Sequence, residues 1–242
     1  MRGAPTGRGK PRIGAATQGY PEGNSRSGNA AGGCHNDLQP KEVRGTESIV
    51  VAKETIRIFI GIPLPEEVAK RLSEVGEIFK GVARPIAAAN LHLTLRFLGN
   101  RPVGEVPKLE EVLGRIARKG EPFRMVVSGV GAFPSVRRAR VVWVGIGPGA
   151  DEAIALQERV EAKMRRMGYP PEERFHPHIT VGRLKVPRDV SEQMEESEVI
   201  SLEGCDIDVP EMVLFRSELI PGGARYSPLS VFKLGEGKEQ SD

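Results

Sequence analysis

The chain carries one short pattern twice, as His92-Leu93-Thr94-Leu95 and as His178-Ile179-Thr180-Val181. Both copies lie in aliphatic runs that are typical of β-strands. Because side chains alternate along a strand, each histidine shares a face with its threonine, and the aliphatic residues face the other way into a core. The pattern therefore predicts two strands that each present one imidazole and one hydroxyl on the same face.

The surroundings of the two copies indicate a duplicated unit. Apolar runs predict one strand at Ile56–Ile62 and another at Arg140–Ile146, and each precedes its histidine by a closely similar interval. A helix is predicted in both intervals. The first opens at Pro65 with acidic residues in its first turn, and the second spans Asp151–Met167. We therefore expect a strand–helix–strand unit to occur twice, with the histidines in equivalent places.

Two such units are too few for a solenoid and favour a pair of lobes. We expect an α/β (α+β) fold with pseudo-twofold symmetry, in which mixed or antiparallel sheets flank a central cleft and the helices lie outside. The folded domain is expected at residues 53–235. One lobe should span about 56–131 together with the C-terminal strands, and the other about 139–220, leaving 236–242 as a tail.

Residues 1–52 differ in composition from the remainder. They are rich in Gly, Pro, Ser and Asn and lack apolar periodicity, which predicts a disordered N-terminal extension. Two alternatives stay open: a weak RNA-binding arm, and a translation start nearer Val50. The arm would use the basic residues Arg2, Arg8, Lys10 and Arg12.

The charge distribution limits the kind of partner that the folded part can bind. Seven Lys/Arg and four Asp/Glu fall in residues 1–52, so this segment carries the formal net charge of +3 and the rest of the chain is balanced. A broad polyanion-binding surface is therefore not expected, and any nucleic-acid contact should come from a local patch.

Apolar runs and cysteines bear on where the protein works. The longest apolar runs, such as Val141–Ile146, are far shorter than the roughly 20 residues of a membrane span. The first residues lack the apolar segment of a secretory signal, and the two cysteines, Cys34 and Cys205, do not indicate a structural disulfide. We expect a cytoplasmic monomer that does not bind membranes.

Two imidazoles and two hydroxyls around one small anion are suited to acid–base chemistry on a phosphate ester, because imidazole gains and loses a proton near neutral pH. A rival hypothesis is a zinc site formed by His92, His176 and His178, since His176 shares the alternation of His178. No carboxylate or cysteine occurs at typical zinc spacing, which argues against a metal. We expect no metal and no other cofactor.

Six further segments accompany the two tetrapeptides: Arg57–Ile62, Leu95–Gly99, Val141–Gly145, Phe175–His178, Gly182-Arg183 and Tyr226–Leu229. With these segments, the chain from Ile56 to Leu234 resembles the 2H phosphoesterase superfamily, and within it the RNA 2′,3′-cyclic phosphodiesterases formerly described as 2′,5′ RNA ligases. The resemblance implies metal-free hydrolysis of a 2′,3′-cyclic phosphate at an RNA end to a 2′-phosphomonoester. A 2′,5′ RNA ligase, a 2′,5′ phosphodiesterase and an RNA-binding module without turnover stay open as alternatives.

The resemblance also implies roles for the four motif residues. His92 would be the proton donor and His178 the proton acceptor, although the residues alone do not distinguish the two roles. Thr94 and Thr180 are expected to hold the non-bridging phosphate oxygens through their hydroxyls.

Two arginines near the motifs are candidate substrate contacts. Arg96 shares by simple alternation the face of His92. Simple alternation points Arg183 away from the face of His178, unless a bulge turns it round, and the family has an arginine at this position.

Three more candidates lie further along the chain. Phe133 and Arg140 flank the predicted turn between the lobes, where they could stack on a base and contact RNA backbone. A solvated basic turn is the alternative. Tyr226 is added by the resemblance, whereas Trp143 is interpreted as a core residue.

Overall fold

The computed structural model describes residues 54–172, 174–221 and 223–236. The predicted extension at 1–52, and all but Glu236 of the predicted tail, lie outside the described residues. The strands are β1 (Thr55–Pro63), β2 (Arg84–Pro85), β3 (His92–Pro102), β4 (Phe123–Phe133), β5 (Ala139–Ile146), β6 (His178–Arg188), β7 (Asp206–Val209), β8 (Glu211–Ile220) and β9 (Gly223–Lys233). The helices are α1 (Glu66–Ile78), α2 (Val106–Arg118), α3 (Ala150–Arg166) and α4 (Ser191–Ser197).

The longer helices form where apolar residues recur at helical spacing, and each buries that stripe. Helix α1 begins directly after Pro65, with two glutamates in its first turn, as the sequence predicts. The buried stripe residues are Val68, Leu72 and Val75 in α1, Leu109, Val112, Leu113 and Ile116 in α2, and Ala153, Leu156, Val160 and Met164 in α3.

The strands form one sheet in the order β7-β4-β5-β6-β3-β1-β8-β9, with the short β2 beside β6. All the strand pairs in the described residues are antiparallel, so the sheet is not mixed. Strands β3 and β6 are the central pair, and four strands lie in each half. The expected α+β fold with two halves is confirmed.

Counting outward from the centre of the sheet, the third strand of each half is β4 or β8, and each comes from residues that the sequence assigned to the other lobe. Residues 123–133 form β4, which pairs with β5 and β7 in the second half, whereas the sequence placed them in the first lobe. Residues 211–220 form β8, which pairs with β1 in the first half. Each half therefore takes a strand from the other part of the chain. A strand's own pattern determines which of its faces is buried, but not which strand it lies beside.

The helices cover one face of the sheet and join its two halves. Helix α1 packs against β6, and α3 packs against β3. The approach of α1 is close, since a Cβ at Gly76 would lie 2.7 Å from the carbonyl oxygen of Val181. Leu93 and Ile179 face these helices and are buried. The histidines of the two motifs therefore lie on the opposite face.

Candidate active site

The two motifs meet at the centre of the sheet, where Leu93 pairs with Ile179. Counting outward in this antiparallel ladder places His92 opposite Thr180 and Thr94 opposite His178. Directly opposed Cβ atoms in such a ladder are about 5 Å apart. The two imidazoles therefore lie on the diagonal of a small rectangle, with the two threonines at its other corners.

The two motif strands have the same backbone irregularity. Residues 92–98 and 178–184 show an identical sequence of burial, with two consecutive buried residues in the middle of each segment. The ladders explain this pattern, because Leu95 and Val181 are each an extra residue without a direct partner in the neighbouring strand. A bulge of this kind reverses the alternation beyond it.

The bulge at Val181 brings Arg183 to the face of the histidines. Arg183 pairs with Val141 in β5, and Thr180 pairs with Trp143, so Arg183 and Thr180 point the same way. Burial is the main cause of the lowered pKa values of His92 and His178, and the positive charge of Arg183 lowers both further. Arg183 therefore lies close to both imidazoles. A bulge has turned it to the face of His178, the alternative to simple alternation that the sequence left open.

The bulge at Leu95 has the opposite effect on Arg96, and the prediction that Arg96 contacts substrate is wrong. Its side chain is only 2% exposed, and its guanidinium nitrogen Nη1 lies 3.1 Å from Glu161 and 3.3 Å from Glu172. It also donates to the carbonyl oxygen of Pro170. Arg96 therefore points away from the histidines and ties β3 to α3 and to the loop that precedes β6.

Each motif histidine is held by a carbonyl group two residues before it. Nδ1 of His92 lies 2.7 Å from the carbonyl oxygen of Asn90, and Nδ1 of His178 lies 2.7 Å from that of His176. A carbonyl oxygen only accepts hydrogen bonds, so Nδ1 carries a proton in both rings. The second ring nitrogen, Nε2, is then the atom that can take up or release a proton.

Both motif histidines are neutral near pH 7 in the substrate-free protein. Burial lowers the pKa of His92 from 6.5 to about 4; the hydrogen bond to Asn90 opposes this change, and the charges of Arg183 and His178 add to it. Burial also lowers the pKa of His178. The charge of one imidazole thus affects the other, which agrees with their positions on one diagonal.

Aromatic rings surround His92. The ring centroids of Phe59, Tyr226 and Phe215 lie 4.6 Å, 5.1 Å and 6.0 Å from its own. A groove of about 530 Å³ opens beside it, between the start of α1, residues 88–91 and the first part of β9. The predicted site residue Tyr226 therefore lies at His92. Phe59 and Phe215 were not among the predicted site residues, although Phe59 lies in a segment that carries the family resemblance.

A second aromatic group surrounds His178. The ring centroid of Phe133 lies 5.2 Å from that of His178, and the ring centroid of Trp143 lies 6.2 Å away. Trp143 is thus a neighbour of the site and not a core residue. Its ring occupies the space over Gly131, where a Cβ would lie 2.3 Å from the indole. The alternation of side chains along β5 could have predicted this position of Trp143, because the flanking Val142 and Val144 are fully buried on the other face.

Two other predicted features differ in their distance from the paired histidines, since the ring centroid of His176 lies 6.4 Å from that of His178 whereas Arg140 does not face them. Arg140 is exposed and lies three residues before Trp143 in β5. Residues three apart on a strand point to opposite faces, so Arg140 does not project beside His178. The side chain of His176 contacts Phe133 and Trp143. Among the residues that the structure describes, no three His, Cys, Asp or Glu side chains are grouped so as to bind a metal ion.

The sequence of this chain matches the family model of LigT-like phosphoesterases over residues 62–143 and 144–226. The chain belongs to the LigT-like phosphoesterase family. Each of the two matched segments of this phosphoesterase contains one of the two motifs, which agrees with the duplication. None of the helices in its described part is long and apolar enough to cross a bilayer.

Relatives of known name and structure match about three quarters of this phosphoesterase and nearly all of their own length. The RNA 2′,3′-cyclic phosphodiesterase of Methanothermobacter thermautotrophicus is 33% identical over 74% of this chain and 99% of its own length. The Escherichia coli enzyme of the same name is 32% identical over 75% and 98%. A crystal structure of a Thermus thermophilus protein has a TM-score of 0.64 and 32% identity, covering 74% of this chain and 98% of its own. Escherichia coli LigT complexed with 3′-AMP has a TM-score of 0.60 and 30% identity, covering 75% and 99%.

Proposed function

We propose that this phosphoesterase hydrolyses 2′,3′-cyclic phosphates at RNA ends to 2′-phosphomonoesters. The observation that carries the proposal is the diagonal arrangement of His92 and His178, each with Nδ1 fixed and Nε2 left for proton transfer. The names of the Methanothermobacter and Escherichia coli relatives support the same substrate.

In the proposed reaction, two protons move while one P–O bond forms and another breaks. Nε2 of His178 takes a proton from water as the water oxygen attacks phosphorus. The bond from phosphorus to the ribose 3′ oxygen breaks, and protonated His92 gives its Nε2 proton to that oxygen. The product keeps phosphorus on the 2′ oxygen and gains a 3′ hydroxyl.

His92 must be protonated to act as the acid, whereas its pKa of about 4 leaves it neutral in the substrate-free protein at pH 7. A bound cyclic phosphate carries a negative charge, and an opposite charge nearby raises the pKa of an imidazole. Substrate binding therefore promotes protonation of His92. An imidazolium with a low intrinsic pKa is also a strong acid towards the departing oxygen.

The hydroxyls of Thr94 and Thr180 occupy the other two corners of the rectangle, where they can donate to the non-bridging phosphate oxygens. Such donors orient phosphorus between the imidazoles and stabilise the charge that builds up in the transition state. Arg183 adds a positive charge next to both histidines. These three side chains form the proposed phosphate-binding set.

The aromatic groups are the proposed contacts for the nucleoside. Because the 3′ oxygen takes its proton from His92, the ribose lies on the His92 side, next to Tyr226 and the groove of about 530 Å³. The rings of Phe133 and Trp143 face His178 on the side from which water attacks. The complex of Escherichia coli LigT with 3′-AMP supports a nucleotide ligand in this family.

The proposed chemistry needs no metal ion, because the two imidazoles supply both proton transfers. Activity should therefore be retained in a chelating buffer. Loss of activity with chelator, and its return with a divalent cation, would contradict this part of the proposal.

The deciding experiment is incubation with an oligoribonucleotide that ends in a 2′,3′-cyclic phosphate, followed by identification of the hydroxyl that keeps phosphorus. We expect a 2′-phosphate. A 3′-phosphate would contradict the proposed leaving group, and tight RNA binding without turnover would favour a binding module. The near symmetry of the two histidine environments also allows the reverse reaction, so a 2′,5′ linkage belongs in the substrate panel.

A further inference from the structure

Arg84 lies directly opposite Arg183, as the residue that faces it in the β2–β6 ladder. Both side chains are exposed and point to the same side of the sheet. Opposed residues of antiparallel strands have Cβ atoms about 5 Å apart, and like charges at such positions repel. A pair of arginines in this arrangement costs stability when no anion lies between them.

Within the described part of the chain, neither arginine has an acidic partner. In residues 54–172, 174–221 and 223–236, no ion pair or side-chain hydrogen bond involves Arg84 or Arg183. Other exposed arginines of the same chain do have such partners: Arg115 pairs with Glu111, and Arg225 with Glu218. Some other exposed arginines of the described residues, such as Arg140 and Arg188, also lack an acidic partner. What distinguishes Arg84 and Arg183 is that they face each other beside the candidate active site.

The two guanidinium groups lie at increasing distance from the motif histidines, first that of Arg183 and then that of Arg84. Arg183 is near enough to affect both motif histidines. Arg84 lies one strand further out, with its guanidinium against Gly223 at the start of β9. A Cβ at Gly223 would lie 2.8 Å from Nη2 of Arg84, so the glycine leaves the space that this side chain occupies. Three residues later, Tyr226 contacts His92.

We propose that Arg84, together with Arg183, binds a second phosphate group of the substrate, namely the phosphodiester that joins the terminal nucleotide to the one before it. This proposal rests on the proposed function. The guanidinium group donates paired hydrogen bonds that match a phosphate, and an anion between the two arginines would also remove their repulsion. Contacts to backbone phosphates position a strand without reading its sequence.

The consequence is a preference for RNA chains over single nucleotides. A nucleoside 2′,3′-cyclic monophosphate offers only the reacting phosphate, which lies at the histidines and Arg183. A dinucleotide with the same cyclic end adds one phosphodiester, and it should have the lower KM. Arg84 is then the residue that lowers KM for the dinucleotide relative to the mononucleotide.

The test compares a cyclic mononucleotide with a cyclic-phosphate dinucleotide for the wild-type protein and for Arg84→Ala. We expect Arg84→Ala to raise KM for the dinucleotide by about tenfold, the effect of losing one charge-assisted contact. The kcat for the dinucleotide and both constants for the mononucleotide should stay within about twofold. Arg84→Lys keeps the charge and should lie between the two proteins.

Arg115→Ala is the matched control, because it removes one exposed arginine from α2, on the helix side of the sheet. It should leave both substrates unaffected. Circular dichroism and thermal unfolding of each variant would separate loss of fold from loss of contact. An equal loss on both substrates with Arg84→Ala, or no change on either, would overturn the proposal.

A binding measurement keeps this proposal distinct from the proposed function. The affinity for a dinucleotide that ends in a 2′-phosphate requires no turnover, and it should fall about tenfold with Arg84→Ala and depend less steeply on salt. If the wild-type protein turns over neither cyclic substrate, the proposed function fails, whereas the binding result still decides the role of Arg84. Equal affinities of the wild type and Arg84→Ala would refute that role.

Discussion

Leu93 pairs with Ile179 in the ladder between the two motif strands, β3 and β6. Both side chains are fully buried, and this pair lies at the centre of the pseudo-twofold arrangement. It places His92 and His178 on one face and at equal distance along their strands from the shared contact. The position of each histidine therefore depends on the packing of both halves.

Alanine at His92 or at His178 should lower kcat/KM on a cyclic-phosphate RNA by about 10²- to 10⁴-fold, the usual contribution of a general acid or base. His176→Ala is the matched control, because His178 is held by the backbone carbonyl of His176, which this substitution retains. The control should retain activity within about tenfold. A loss below about fivefold for both motif variants would contradict the mechanism, and an equally severe loss with His176→Ala would favour the rival metal site.

The pH dependence of kcat/KM should be a bell with its maximum below pH 6.5. This constant reports the free enzyme, in which the pKa values of both His92 and His178 lie below 6.5 because the rings are buried. Activity should fall at lower pH as the base becomes protonated, and at higher pH as the acid loses its proton. Bound phosphate raises these pKa values, so the profile of kcat should lie at higher pH. Coincident profiles centred above pH 7 would contradict this account.

Tyr226→Ala should raise the pKa of His92 from about 4 towards 6.5, by on the order of one unit. The tyrosine ring contacts the imidazole edge-on and contributes to its burial, which is the main cause of the lowered pKa. Tyr226→Phe retains the ring and should leave the pKa unchanged. An NMR titration of the His92 ring protons would measure both variants, and an unchanged pKa in Tyr226→Ala would show that the ring does not control it.

Arg96→Met should lower the free energy of unfolding by about 3 to 5 kcal/mol, because it leaves the carboxylates of Glu161 and Glu172 without their buried partner. Arg165→Met is a matched control, since Arg165 pairs with the same Glu161 but is 60% exposed. An exposed pair contributes less than about 1 kcal/mol. Urea unfolding of the two variants would measure the difference, and similar small losses would indicate that the buried pair is not needed.

The sequence predicts the strands and the faces of their residues where the local pattern is regular. His92, Thr94, His178 and Thr180 lie on one face because alternation over two residues needs no partner strand. The predicted face is wrong for Arg96 and was left undecided for Arg183, and both outcomes have the same cause. A bulge is a mismatch between two strands, so a residue's own strand does not specify it.

The repeated motif was enough to establish that this chain has two equivalent strands, each with an imidazole and a hydroxyl on one face. The folded arrangement was needed to show that β4 and β8 exchange halves, that Arg96 is buried among carboxylates, and that Arg84 faces Arg183. The difference arises because the alternation of side chains is a local property of one strand. The choice of neighbouring strand and its register depend instead on how much apolar surface the whole sheet buries against its helices.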